Sequence, residues 1–151
     1  EMKAAIDAVK SDFDGKVVWI EEMLPDDQKI NLYSHAAVFC CPSIYEPFGI
    51  INLEAMACET PVVASKVGGM KEVILHDETG LLIPLEQQKE SPFEATNPEQ
   101  FAKDLASGIN ELMRDPERRE RMAKAGRERV IEKFSWAEIA QETLDLYKSL
   151  V

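Results

Sequence analysis

Short, nearly continuous apolar runs recur through the first half of the chain: KVVWI (16–20), AVFCCPS (37–43), PVVAS (61–65) and GLLIP (80–84). Each is too short for a helix and unbroken enough for a strand covered on both faces. Between them the spacing becomes helical. Met2, Ala5, Ile6 and Val9 recur at helical intervals, as do Ile30, Tyr33 and Ala37. Residues 49–59 and 68–77 read as two more helices, and SDFDG (11–15) as a turn. Strands that alternate with helices need crossover connections, so the expectation is an α/β fold. Its parallel sheet has four strands, at 16–20, 37–42, 61–65 and 80–84, with helices on both faces.

Beyond Pro84 the pattern changes. LEQQKESPFEAT (85–96) is polar and acidic with no period, and reads as a surface loop. Three helices follow. NPEQ (97–100) offers an Asn cap with Pro at the first helical position. Pro116 opens a helix whose many charges predict a solvated face. SWAE (135–138) is a capping box, after which Ile139, Leu144 and Tyr147 mark an apolar side. No repeat or internal boundary divides residues 1–151.

Composition narrows the partners. The 151 residues are 45% hydrophobic, enough for a core, and carry a net charge of −11. That charge argues against nucleic acid and against an acidic membrane surface. No apolar run is long enough to span a bilayer. The chain begins with Glu1 and no signal peptide, and reads as a piece cut from a longer protein. Cys40, Cys41 and Cys58 lie in apolar segments without Cys-x-x-Cys spacing, which predicts free thiols in a reducing cytoplasm and no zinc.

The candidate chemistry sits in IYEPFGIINLEAM (44–56), where Glu46 and Glu54 bracket Pro-Phe-Gly inside an otherwise apolar segment. A carboxylate among apolar residues needs a partner. Here a strand ends at Pro42, and Gly49 permits close backbone approach where a helix begins. The first amides of that helix lack intrahelical partners and suit phosphate oxygens. Glu54 lies six residues past Phe48, about 9 Å along the helix axis. A diphosphate at the helix start therefore brings an attached ribose near Glu54, and a carboxylate accepts well from a diol. Glu46 could serve hydroxyls of a sugar on the other side of the diphosphate.

Glu-x7-Glu around Pro-Phe-Gly resembles the signature of retaining GT-B glycosyltransferases. Residues 35–84, HAAVFCCPSIYEPFGIINLEAMACETPVVASKVGGMKEVILHDETGLLIP, look like the donor-binding half of bacterial glycogen (starch) synthases, and FSW (134–136) fits as well. The resemblance implies a Rossmann-like C-terminal half of a GT-B fold whose first strand is missing, with the acceptor domain absent. It implies that Glu46 contacts the transferred sugar as the catalytic carboxylate and that Glu54 holds the ribose. Phe48, Gly49 and Ile50 would meet the sugar and diphosphate, Glu22 and Met23 would border the base, and Gly68 and Gly69 would approach the donor or simply form a turn. Ala37, Glu59 and Lys71 stand where such enzymes usually carry Asp, Gly and Pro.

The function implied is transfer of glucose from ADP-glucose or UDP-glucose to an α-1,4-glucan with retention, without metal or other cofactor, the isolated piece being inactive. The alternatives are another retaining enzyme of this fold, of the sucrose-phosphate synthase or lipid mannosyltransferase type, or a non-catalytic nucleotide-binding or scaffold module. Asp12-x-Asp14 precedes a strand and reads as a solvated turn rather than a metal site. His35 and His76 lack a neighbouring nucleophile and read as structural, and Lys66 as a surface residue. The C-terminal helix (136–149) should expose Trp136, Ile139, Leu146 and Tyr147 and mediate self-association.

Overall fold

The computed structural model describes residues 2–12 and 16–150. Helix α1 (Met2–Asp12) and helix α2 (Asp26–His35) precede the sheet. Then come β1 (Phe39–Cys41), α3 (Ile50–Ala57), β2 (Val62–Ser65), α4 (Met70–Val73) and β3 (Gly80–Ile83). Three helices close the described chain: α5 (Pro98–Arg114), α6 (Pro116–Phe134) and α7 (Trp136–Ser149). The strands are parallel in the order β1-β2-β3, with Val62 opposite both Phe39 and Gly80.

The sheet therefore has three strands among the described residues, not four. Residues 16–20 form no strand, and Val18 is 81% exposed. An apolar run supplies a strand's side chains, but a strand also needs a neighbour to take its N–H and C=O groups. Among the described residues β1 is an edge strand paired with β2 alone, and 16–20 forms no ladder with it. The turn expected at 11–15, with Asp14, falls largely outside the described residues.

Both faces of the sheet are covered. On one, Met56, Met70, Val73 and Ile74 pack on Val62, Ala64 and Leu82, with Tyr33 and Leu53 against them. On the other, Leu112 and Met122 pack on Val63, Leu81 and Ile83 with Phe101, Leu105 and Ile109. Every residue of β2 and β3 is buried, as their unbroken apolar runs require. Helix α6 serves both sides, Met122 joining the α5 layer and Val130 the α3 layer.

The caps fall where the sequence put them. Asn97 accepts from the Gln100 N–H at 3.1 Å, and Ser135 from the Glu138 N–H at 3.3 Å. Helix α6 is less solvated than its charges suggest. Met122, Ala123 and Gly126 are buried, and its arginines fasten other helices: Arg119 donates to the Leu112 carbonyl at the end of α5, Arg127 to Ala57 at the end of α3, and Arg129 to Glu72 and Val73 at the end of α4. Arg127 and Arg129 reach carbonyls that a helix end leaves without intrahelical partners, and Arg119 adds to the Asp115 N–H already on the Leu112 carbonyl. The segment 85–96 is a folded hairpin rather than a plain loop. Gln87 bridges Ala95, the Gln88 N–H donates to the Glu94 carbonyl and the Thr96 N–H to that of Glu86.

Candidate functional site

The three strands end on the same side of the sheet because they are parallel, so the segments that follow them meet there. After β1 comes 42–49, leading into α3. After β2 come Lys66–Gly69, leading into α4. After β3 comes the hairpin.

The first of these segments carries Glu46. Gly49 adopts φ 98°, ψ 45°, a left-handed conformation that turns the chain sharply into α3. A Cβ there would also lie 2.8 Å from the Asn52 side-chain nitrogen. No side chain caps the amino end of α3; the Asn52 N–H bonds the Gly49 carbonyl at 2.9 Å, which leaves the first amides, of Ile50 and Ile51, without a partner among the described residues, at the positive end of the helix dipole.

The neighbouring segment fits against this turn. The Gly69 N–H donates to the Glu46 carbonyl at 3.1 Å. A Cβ at Gly68 would strike the Glu46 backbone, and one at Gly69 would strike Pro47 and Phe48. Both glycines therefore make a close approach, and what they approach is the Glu46–Phe48 backbone. The Glu46 carboxylate, half-buried, has no hydrogen-bond or ion-pair partner among the described residues.

Glu54 sits one turn into α3 and does have partners. The Tyr33 hydroxyl donates to Oε2 at 3.3 Å, and Lys29 Nζ stands 4.0 Å from Oε1. Burial first, and then the Glu54 charge, push the Tyr33 hydroxyl above its ordinary value. Its hydrogen bond to Asp26, and then the charges of Asp26 and Glu54, hold Lys29 in its charged form. A carboxylate has about four lone-pair sites, so Glu54 keeps acceptor positions that these two groups do not use. It borders two open grooves. One, of about 360 Å³, runs between α2 and α3 and is lined by Asp26, Lys29, Ile30, Tyr33 and Cys58. The other, of about 430 Å³, is apolar, with Phe48, Ile50, Leu53, Phe134 and Trp136.

Glu46, Phe48, Gly49, Ile50, Glu54, Gly68 and Gly69 are thus brought to one end of the sheet. Glu22 and Met23 are not joined to them. They lie in the coil before α2, Met23 is 97% exposed, and neither lines a groove at Glu54. Their expected place depended on residues 16–20 being a paired strand. His35 bonds the Asn31 carbonyl, and His76 accepts from the Leu82 N–H, both structural roles. Cys40, Cys41 and Cys58 are free, and burial pushes the Cys40 thiol up. Among the described residues no three metal-ligating side chains cluster, and no helix is long and apolar enough to cross a membrane.

Sequence reasoning missed Asn52, Tyr33 and Lys29. Asn52 is fully buried and donates to the Gly49 carbonyl at 3.3 Å, while its Oδ1 is unpartnered. The available signal was a lone amide in an apolar run. Tyr33 and Lys29 lie 21 and 25 residues from Glu54, and no local pattern links them to it.

The model of the family described as glycosyl transferases group 1 matches residues 10–92, more than half of the chain. The chain belongs to this family of glycosyltransferases. An α-maltose-1-phosphate synthase of Mycolicibacterium smegmatis is 48% identical over 89% of the chain. A glycogen synthase of Mycobacterium tuberculosis is more distant, 32% identical over 82%. The chain spans about a third of the length of the first and 27% of the second. Among solved structures, the sucrose-phosphate synthase of Thermosynechococcus elongatus superposes with a TM-score of 0.75 at 34% identity, covering 99% of this chain and 34% of that one. Anabaena HepE in complex with UDP-glucose gives a TM-score of 0.60 at 28% identity, covering 78% and 29%. The chain has the Rossmann-like α/β architecture of the GT-B fold, with its parallel sheet and two helical layers.

Proposed function

We propose that this chain is the nucleotide-sugar-binding domain of a retaining GT-B hexosyltransferase, with residues 1–151 forming the donor side and the acceptor side lying elsewhere in the parent protein. The observation that carries the reading is the junction of β1 and α3: a helix start with no side-chain cap lies between Glu46, a carboxylate without a partner among the described residues, and Glu54, one held in place. The amides of Ile50 and its neighbours take the diphosphate oxygens, Glu54 takes the ribose diol, and Glu46 takes hydroxyls of the sugar to be transferred. Phe48 and Gly49 border that sugar. Transfer proceeds by same-face substitution: the bond from the anomeric carbon to the diphosphate breaks, the acceptor oxygen forms the new one, and the departing diphosphate takes the acceptor proton. Fixed amide dipoles stabilise the developing charge, and no metal is needed. The free thiols favour a cytoplasmic protein.

For the acceptor, the 48% identity to an α-maltose-1-phosphate synthase favours a small phosphorylated glucose over the end of a glucan. The donor is then ADP-glucose or UDP-glucose, and the product a disaccharide phosphate. Glycogen synthase activity is the second reading, supported at 32% identity.

Titration calorimetry on this chain tests the donor site. Glu54→Ala removes a charged acceptor worth about 1.5–3 kcal/mol, so nucleotide affinity should fall roughly 10- to 150-fold. Glu46→Ala should leave nucleoside diphosphate binding intact and weaken only the nucleotide sugar. Equal losses for both ligands in both variants would remove the assigned roles. In the full-length parent, labelled donor offered with glucose 1-phosphate or with glycogen separates the two acceptor readings.

A further inference from the structure

The segment that carries Glu46 is fastened at almost every residue. The Ser65 hydroxyl donates to the Ser43 carbonyl, the Gly69 N–H to that of Glu46, and Asn52 to that of Gly49. The Phe48 ring packs edge-on against Phe134 at 5.9 Å. These anchors come from the sheet, from α3 and its neighbouring turn, and from the end of α6. Ile44 and Tyr45 are held differently. Among the described residues, the Ile44 carbonyl accepts only from the side-chain nitrogen of Gln87, and the only ring beside Tyr45 is that of Phe93, stacked at 6.1 Å with 16° between the planes. Both partners belong to the hairpin 85–96.

That hairpin is organised around this contact. Gln87 Nε2 also donates to the Phe93 carbonyl at 2.7 Å, so one amide group joins the hairpin's two arms and the Glu46 segment. Phe93 sits at φ 60°, a conformation that a bulky side chain adopts at a cost. Such a conformation persists where surrounding contacts over-determine it, and here the Tyr45 stack and the Gln87 bond do so. A connection that needed only to link β3 to α5 would have no use for a left-handed Phe.

We propose that Gln87 and Phe93 are positioning residues for Glu46: they pin Ile44 and Tyr45, the two residues before it, and thereby set where its carboxylate stands relative to the start of α3. Neither touches the bound donor. The inference rests on the donor-site reading for its functional consequence, while its structural content stands apart from that reading. A carboxylate that must meet a sugar needs its supporting shell held to about half an ångström. Four of the anchors named above are built into the sheet-and-helix framework, whereas this one is supplied by a separate excursion of the chain.

The test uses the 151-residue chain with Phe93→Ala, Gln87→Met and the conservative Phe93→Tyr. Amide hydrogen exchange at Gly69, whose N–H bonds the Glu46 carbonyl, reports whether the segment is seated. In the first two variants it should speed up by about tenfold or more, with the amides of β2 and β3 unchanged and Phe93→Tyr restoring protection. Unchanged exchange at Gly69 overturns the proposal, and so does acceleration that spreads equally through β2 and β3. Calorimetry with UDP-glucose and UDP supplies the functional arm. Nucleotide-sugar affinity should fall several-fold and UDP affinity stay constant, while equal losses, or none, sever the link to Glu46. If the unaltered chain binds neither ligand, the donor-site reading fails, and the exchange result alone decides the positioning role.

Discussion

The pair Tyr33–Glu54 shows what a single charged residue in an apolar segment requires. The sequence raised the question, because a carboxylate stands between Leu53 and Ala55, although its side chain keeps 39% of its surface exposed and water still reaches it. The sequence could not show which group pairs with it, since Tyr33 reaches Glu54 from another helix. The tyrosine's shift gives a direct check. Its hydroxyl is held above its ordinary value near 10 by burial and by the Glu54 charge, so the folded state favours the protonated phenol. The resulting stabilisation is complete below pH 10 and is lost as pH rises through the folded value. Spectrophotometric titration should show Tyr33 ionising late, and Glu54→Gln should move its transition to lower pH. Late ionisation unaffected by Glu54→Gln would assign the shift to burial alone. Glu59 is a second residue with a readable cost. It has φ 57°, a left-handed conformation that Gly adopts without penalty, and its exposed contact with Arg127, at 3.6 Å, offsets little. Glu59→Gly should therefore stabilise by about 0.5–1 kcal/mol, a rise in melting temperature of roughly 1–4 °C. A fall in differential scanning calorimetry would mean that the ion pair outweighs the strain.

At the level of elements, legibility followed burial. PVVAS and GLLIP became β2 and β3 because every one of their strand positions is covered, and a continuous apolar run encodes that directly. KVVWI carries the same code and forms no strand, because hydrophobicity specifies burial without specifying a neighbour. The hairpin 85–96 was illegible for the converse reason. Its order comes from a glutamine reaching a carbonyl 43 residues away and from one aromatic stack, neither of which leaves a periodic trace. Helix α6 was misjudged because arginine counts as polar in any pattern, yet Arg119, Arg127 and Arg129 are spent on the carboxyl ends of three other helices. Arg129→Met should be costly for a partly exposed residue. Two carbonyls at the end of α4 lose a charged donor and Phe134 loses its cation, at 5.4 Å from the ring. A loss of about 2 kcal/mol is expected in urea unfolding; a change below about 0.5 kcal/mol would show that water replaces the arginine freely.

Across the whole molecule, the apolar surface is unevenly distributed. Helix α7 has no buried residue, and Trp136 is 88% and Tyr147 63% exposed. Such a helix, packed on α6 alone among the elements in substantial contact with it, is expected to associate with a second copy at high concentration. Sedimentation velocity should detect dimers that Trp136→Ser with Tyr147→Ser abolishes; a monomer at millimolar concentration would remove this expectation. The reach of α6 has a different consequence, one of timing. A ribosome that has released residues up to Asp115 has already delivered all three strands and both glutamates. At that moment the carbonyls of Ala57, Glu72 and Val73 lack the arginines that will bind them, and Met56 lacks the wall that Gly126 will supply. The crevice is thus written early in translation and fixed late, after a further nineteen-residue helix has emerged. A nascent chain halted at 115 should show helical far-ultraviolet dichroism without fixed aromatic signals, and one halted past 134 should show both.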